Sequence, residues 1–264
     1  MERLKVTSTN KITYNTYLKI KELTQLQNPL STPPAHDEML FIVIHQVYEL
    51  WFKLVIYELN GVLTHLGKDE FLQVFHSLER VCEIFRVLIQ QIDVLETMTP
   101  VEFNRFREKL NPASGFQSIQ FRELELVSGA NRSDYESLKV FEPEWIELLS
   151  SRPVTKTLRD VFFDVLVRKG KLKDRNSSTE VSGALKAVYS ETPRSELQTL
   201  CEFLIRYDEL LSLWRFRHVQ MVERMIGMKR GTGGSLGVPY LERTMNKRFF
   251  PELWEVRTQM GTGY

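Results

Sequence analysis

The chain has 264 residues, 42% of them hydrophobic and 26% charged, with a net charge of +1. That balance suits a globular protein with a large core and excludes nucleic acid or an anionic membrane as a partner drawn by bulk charge. Two cysteines, Cys82 and Cys201, lie far apart inside apolar patterns; no disulfide framework or C-x-x-C site is formed, and a reducing cytoplasm is expected.

The opening MERLKVTSTNKITYNTY lacks the apolar run of a secretory signal. Helical periodicity then dominates and strand alternation is scarce. The spacing predicts helices over 14–27, 37–66, 69–97, 100–110, 115–128, 143–150, 154–168, 181–190, 193–229, 238–247 and 251–258. Three are long and the rest short, which predicts an all-α helical bundle in a single domain over 1–264.

In the first helix Tyr14, Tyr17 and Leu18 share one face. The second contains HDEMLFIVIHQVYELWFKLVIYEL, apolar almost all round. Glu49, Lys53 and Glu58 join His45 and Gln46 there, and three formal charges make a lone membrane span costly. A buried helix, with no membrane, is the expectation. Phe41, His45, Tyr48 and Phe52 fall at steps of four, three and four, so one face presents three rings and an imidazole. Either His45 is a core histidine with one hydrogen bond, or it is a polar handle in a pocket for a flat ligand. At the helix start, His36-Asp37-Glu38 reads as two members of a non-haem iron triad or as acids at a helix N-terminus.

Further along, Thr99-Pro100-Val101-Glu102 is a capping box with proline at the first helical position. Phe103 and Arg107 follow one turn apart, and Arg107 could clamp a carboxylate or sit in a surface salt bridge. The polar KGKLKDRNSST at 169–179 reads as a mobile linker. Thr192-Pro193 is expected to open the next long helix. On that helix Trp214, His218, Met221 or Val222, and Met225 form an apolar stripe. His218 is then a core histidine or a neutral metal ligand, and Arg215, Arg217 and Arg224 would suit haem propionates. The helix ends in KRGTGGSLG, where Gly231, Gly233 and Gly234 could turn N–H groups toward an anion and Thr232 could close over a ligand. A flexible connector is the plainer reading, and the spacing is not that of a Walker A loop.

HDEMLFIVIHQVYELWFK, NPASGFQS, LWRFRH, KRGTGGSLG and FFPELWEVRT stand in that order. Together they resemble the hallmark segments of the tryptophan 2,3-dioxygenase family. The similarity covers most of the chain and is weakest over about 128–195, where the family also varies. The resemblance implies haem b, one per subunit and ferrous in the active state, and the substrates L-tryptophan and O2, with N-formyl-L-kynurenine as product. It also implies a cytoplasmic homotetramer in which the N-terminal segment, 1–30, completes a neighbouring active site.

By the same resemblance, His218 matches the axial ligand of the haem iron. His45 matches the distal histidine that meets the indole N–H, as orienter or as base. Phe41 and Phe103 match rings around the substrate, although some relatives carry tyrosine at the latter. Arg107 matches the arginine on the substrate carboxylate, and Thr232 the loop threonine near its ammonium and carboxylate. Ser114 matches a serine at the haem edge, Trp214 and the 115–121 segment border the cofactor, and Tyr14, Tyr17 and Leu18 match the intersubunit plug. Two other functions compete. A haem sensor or carrier needs His218 and the aromatic wall but gives Arg107 and Thr232 no reason to converge. A non-haem iron enzyme would use His36 and Glu38.

Overall fold

A computed structural model describes residues 12–131, 156–232 and 237–261. Its helices are α1 (Tyr14–Leu18), α2 (Ile20–Leu23), α3 (His36–Leu66), α4 (Phe71–Leu95), α5 (Pro100–Asn104), α6 (Ile119–Ser128), α7 (Leu158–Arg168), α8 (Ser178–Tyr189), α9 (Glu196–Ile226), α10 (Val238–Met245) and α11 (Pro251–Gln259). Short 3-10 turns at Arg107–Leu110 and Gly115–Gln117 lead into α6. No strand occurs among the described residues, so the fold is all-α. The predicted helix at 143–150, together with Gly233 and Gly234, lies outside the described residues.

The three long helices make the core because each repeats apolar residues at steps of three and four. Val55, Leu59, Val62 and Leu66 of α3 are buried, as are Val74, Leu78, Val81, Phe85 and Leu88 of α4 and Leu200, Leu204, Tyr207 and Leu211 of α9. α4 lies between α3 and α9 through these stripes, α6 packs on α3, and α10 packs on α9. Two buried tyrosine hydroxyls are paired: Tyr48 donates to the Leu88 carbonyl at 2.9 Å, and Tyr207 meets Ser128 Oγ at 2.6 Å. Both cysteines are buried and free, and burial pushes each thiol up to about 12, which makes them inert.

Several boundaries differ from the sequence reading for local reasons. The helix expected over 14–27 breaks at Lys19, which takes a left-handed φ of 54°, and ends at Leu23. α9 is opened by Ser195, whose hydroxyl accepts from Gln198 N–H at 3.2 Å, and not by Thr192-Pro193. The 169–179 segment is tied down: Leu172 is buried, Arg175 pairs with Asp160, and Ser177 caps α8. The capping box at α5 forms in both directions, Thr99 N–H to Glu102 at 2.8 Å and Glu102 N–H to Thr99 at 3.3 Å. At the C-terminal end, buried Asp208 accepts from the N–H groups of Phe249 and Phe250 and from Trp254 Nε1, at 3.0, 3.2 and 3.1 Å. One carboxylate on α9 thereby holds the FFPELW segment.

Candidate active site

A cavity of about 520 Å³ opens between α3, α6 and α9 and is bordered at one end by the 107–118 segment and by Gly231, Thr232 and Gly237. Its size is in the range of cofactor and ligand sites. Phe41, His45, Phe103, Arg107, Ser114, Trp214, His218 and Thr232 all line it, so eight of the sequence-derived candidates converge on one space. Tyr14, Tyr17 and Leu18 do not reach it within their own chain; their side chains are exposed.

α3 supplies one wall. Phe41 and His45, one turn apart, have ring centroids 4.1 Å apart, and Phe103 stands 5.8 Å from Phe41. Phe106, absent from the sequence reading, backs both phenyl rings edge-on at 5.6 and 5.4 Å. His45 Nδ1 lies 2.7 Å from the Phe41 carbonyl. A carbonyl can only accept, so Nδ1 carries the proton and Nε2 of the neutral ring is an acceptor. Burial lowers the pKa of His45 and keeps it neutral, against smaller opposing effects of that carbonyl and of Glu49.

α9 supplies the opposite wall. Trp214 stacks on His218 with centroids 5.4 Å apart and planes 14° apart, and Phe121 of α6 lies 5.0 Å from Trp214. Burial first, then the neighbouring His45 and Arg122, push His218 down to about 4. Its imidazole is therefore neutral at ordinary pH, oriented by a stacked ring, and makes no hydrogen bond among the described residues. A nitrogen lone pair held this way suits a metal ion better than a buried hydrogen-bond role, so the residues fit a haem iron at this position.

The arginines differ from expectation. Arg217 pairs with Asp93 and Arg224 with Glu96, both on α4 or its C-terminal end, and neither lines the cavity. Arg215 does line it, bonded to Glu125 at 2.7 Å and to the Lys247 carbonyl at 2.7 Å. Arg122 and Glu125 of α6 join it there, bonded to each other at 2.5 Å. Sequence reasoning missed both, because an arginine and a glutamate three apart on a helix read as a solvated face. The only signal was their position within QFRELELVS, where eight successive residues from Phe121 to Ser128 are buried.

At the loop end, Arg107 Nη2 donates to the Arg230 carbonyl and the Thr232 hydroxyl to the Ala113 carbonyl, each at 2.6 Å. Gly237 closes the neck of this loop with φ at +69°, and a Cβ there would stand 2.6 Å from the Lys229 carbonyl oxygen. Only glycine fits that approach.

The alternative iron site does not form. His36 is exposed against Asp37, while buried Glu38 accepts from Leu30 N–H, Ser31 N–H and the Ser31 hydroxyl at 2.6, 3.0 and 2.5 Å. Glu38 is a clamp for the chain entering α3. Among the described residues no three His, Cys, Asp or Glu side chains gather as a metal site.

Comparison with known proteins gives the same direction. The family profile described as tryptophan 2,3-dioxygenase matches residues 3–154 and 147–260. A tryptophan 2,3-dioxygenase of Nocardioides sp. is 47% identical over 255 residues, covering 94% of this chain and 95% of the relative. Those of Herpetosiphon aurantiacus and Bacillus thuringiensis are 44% and 41% identical, covering 94% of this chain in both cases and 98% and 93% of the relatives. With the profile spanning nearly the whole chain and such relatives matched end to end, the chain belongs to the tryptophan 2,3-dioxygenase family.

Proposed function

We propose that the chain inserts both atoms of O2 across the indole C2–C3 bond of L-tryptophan, giving N-formyl-L-kynurenine, with haem b held in the α3–α6–α9 cavity. The observation that carries this reading is the placement of two neutral histidines, His45 and His218, on opposite walls of one cavity whose loop end holds Arg107 and Thr232. When bound, the haem supplies the oxygen chemistry. His218 would be its axial ligand, kept neutral by burial and oriented by Trp214. Ser114, Gly115, Gln117 and Phe121 would border its edge.

The remaining work falls to the chain. His45 Nε2, as acceptor, takes the hydrogen bond of the indole N–H. The lowered pKa of His45 makes it a weak base, so its role is to orient the ring rather than deprotonate it. Phe41 and Phe103, packed against each other, line the pocket beside the apolar part of the substrate and exclude water. Phe103 brings no hydroxyl to this part of the pocket. Arg107, with donors left over from the Arg230 carbonyl, grips the carboxylate. The Thr232 proton is committed to the Ala113 carbonyl, so that hydroxyl offers lone pairs to the substrate ammonium. Together these contacts convert a slow encounter into an oriented one.

The same reading includes a homotetramer. Ile12, Tyr14, Tyr17 and Leu18 of the N-terminal arm, and Met39, Val43 and Leu50 of α3, leave apolar side chains exposed. Surfaces of that kind suit contact with further copies of the chain, the arm's rings completing a neighbour's site.

Purified protein given haem, a reductant, L-tryptophan and O2 should accumulate the absorbance of N-formylkynurenine, with two labelled oxygen atoms per product from 18O2. Haem-loaded protein that forms no product would instead favour a sensor or carrier.

A further inference from the structure

The aromatic side of the cavity rests on a residue that does not line it. Phe41, Phe103 and Phe106 form a closed triangle of rings. Their centroids are 5.8 Å apart for Phe41 and Phe103, 5.6 Å for Phe41 and Phe106, and 5.4 Å for Phe103 and Phe106. Phe41 and Phe103 line the cavity, while Phe106 stands behind them at 0% exposure. It meets both rings edge-on, with planes at 65° and 90°, an arrangement that aromatic pairs favour. In a close-packed interior, a ring in that place leaves the two in front of it no room to retreat.

The main chain of Phe106 bears on the same site. Its N–H donates to the Phe103 carbonyl at 3.2 Å, and its carbonyl accepts from Lys109 N–H at 2.9 Å. Phe106 is thereby the N-cap of the 3-10 turn Arg107–Leu110, and both end residues of that turn line the cavity. On the α3 side the triangle reaches His45, whose ring lies 4.1 Å from that of Phe41 and whose Nδ1 donates to the Phe41 carbonyl. One buried ring is therefore the common backing of Phe41, Phe103 and the turn that carries Arg107.

We propose that Phe106 is a positioning residue that determines specificity: its ring sets the depth of the Phe41–Phe103 face, and so the substituents that a bound indole can carry there. This rests on the reading of the cavity as an L-tryptophan site. A smaller side chain at 106 leaves a space that its surroundings fill only in part. The Phe41 and Phe103 rings border that space, and their retreat into it deepens the pocket. In an apolar pocket, one methylene of room changes selectivity by about 10- to 200-fold. The haem side stands apart, since among the described residues Phe106 has no ring contact with Trp214, Phe121 or His218.

The test is a set of Soret titrations of haem-loaded wild type, F106L and F106A. The ligands are L-tryptophan and the four L-tryptophans that carry one methyl group on the benzo ring. In F106A the affinity for at least one methylated ligand, relative to L-tryptophan, should rise about 10-fold over wild type. F106L should give a smaller rise in the same direction, and both variants should keep the wild-type Soret absorbance per chain. A merely structural role predicts one common factor of loss across all five ligands. That result, or unchanged ratios for all four methylated ligands, overturns the inference while leaving the substrate reading intact. If F106A does not fold, F106L carries the test on the same ratios. Wild-type protein whose haem spectrum does not respond to L-tryptophan overturns the substrate reading, and the inference with it.

Discussion

The cavity has two kinds of boundary, and they are built differently. Its walls are helix faces: Phe41, His45, Tyr48 and Phe52 on α3, and Trp214, His218, Met221 and Met225 on α9. Its far end is made of short turns and a loop, where Arg107 and Thr232 are held by carbonyl groups 123 and 119 residues away in sequence. Walls of stacked rings on long helices are rigid and suit a cofactor that must stay in place. An end closed by two side chain–carbonyl bonds still has guanidinium donors and hydroxyl lone pairs to offer a substrate's carboxylate and ammonium. The division predicts that wall and end fail separately when altered.

The largest effect belongs to the wall. His218→Ala should yield protein that retains little or no haem, measured as loss of the Soret band after purification. Full occupancy with an unchanged spectrum would remove His218 as ligand. A pH effect on the haem-free protein comes next. His218 is pushed down to about 4 from an ordinary 6.5. Between those values the unfolded chain binds a proton that the folded chain refuses. Stability contributed by the neutral ring is therefore intact above 6.5 and is lost as pH falls toward 4, on the order of 3 kcal/mol. The lowered pKa of His45 acts in the same direction. Thermal unfolding followed across that window should show the loss, and His218→Gln should flatten it.

The end of the cavity gives smaller and more selective effects. Arg107→Ala should weaken L-tryptophan by about 1.5–3 kcal/mol, the worth of a charged hydrogen bond, and spare an indole analogue without the carboxylate. Equal losses for both ligands would make the arginine structural. Gly237→Ala forces a left-handed φ on a Cβ-bearing residue and pushes on the Lys229 carbonyl. A strain of about 1–3 kcal/mol follows, released by moving the loop. Substrate KM should rise while haem content stays at the wild-type level. A drop in haem content instead would mean that wall and end are not separable.

The same contrast decides what could be read from the sequence. Periodicity places Phe41, His45, Tyr48 and Phe52 on one face, and the structure sets all four against the cavity, because a helix fixes the direction of every third or fourth side chain. The Thr99–Glu102 capping box was legible for the same local reason. Contacts between distant turns carry no such period. That Arg107 would meet the Arg230 carbonyl, or Gly237 the Lys229 carbonyl, depends on how α5 and α9 end in space. The Arg122–Glu125–Arg215 cluster was hidden differently, since its spacing on α6 imitates an exposed ion pair while α3 and α9 bury it. Lys19 was likewise unreadable: an ordinary lysine takes a left-handed conformation and breaks the first helix.

The central claim is that one cavity holds haem on His218 at its wall and L-tryptophan on Arg107 at its end. Titration of the haem-loaded protein with L-tryptophan and with tryptamine, followed at the Soret band, tests it most directly. A saturable spectral shift should appear with L-tryptophan, and tryptamine should need at least about 10-fold more ligand, given about 1.4 kcal/mol per tenfold in affinity. A protein without a Soret band, or equal affinity for the two ligands, would contradict it.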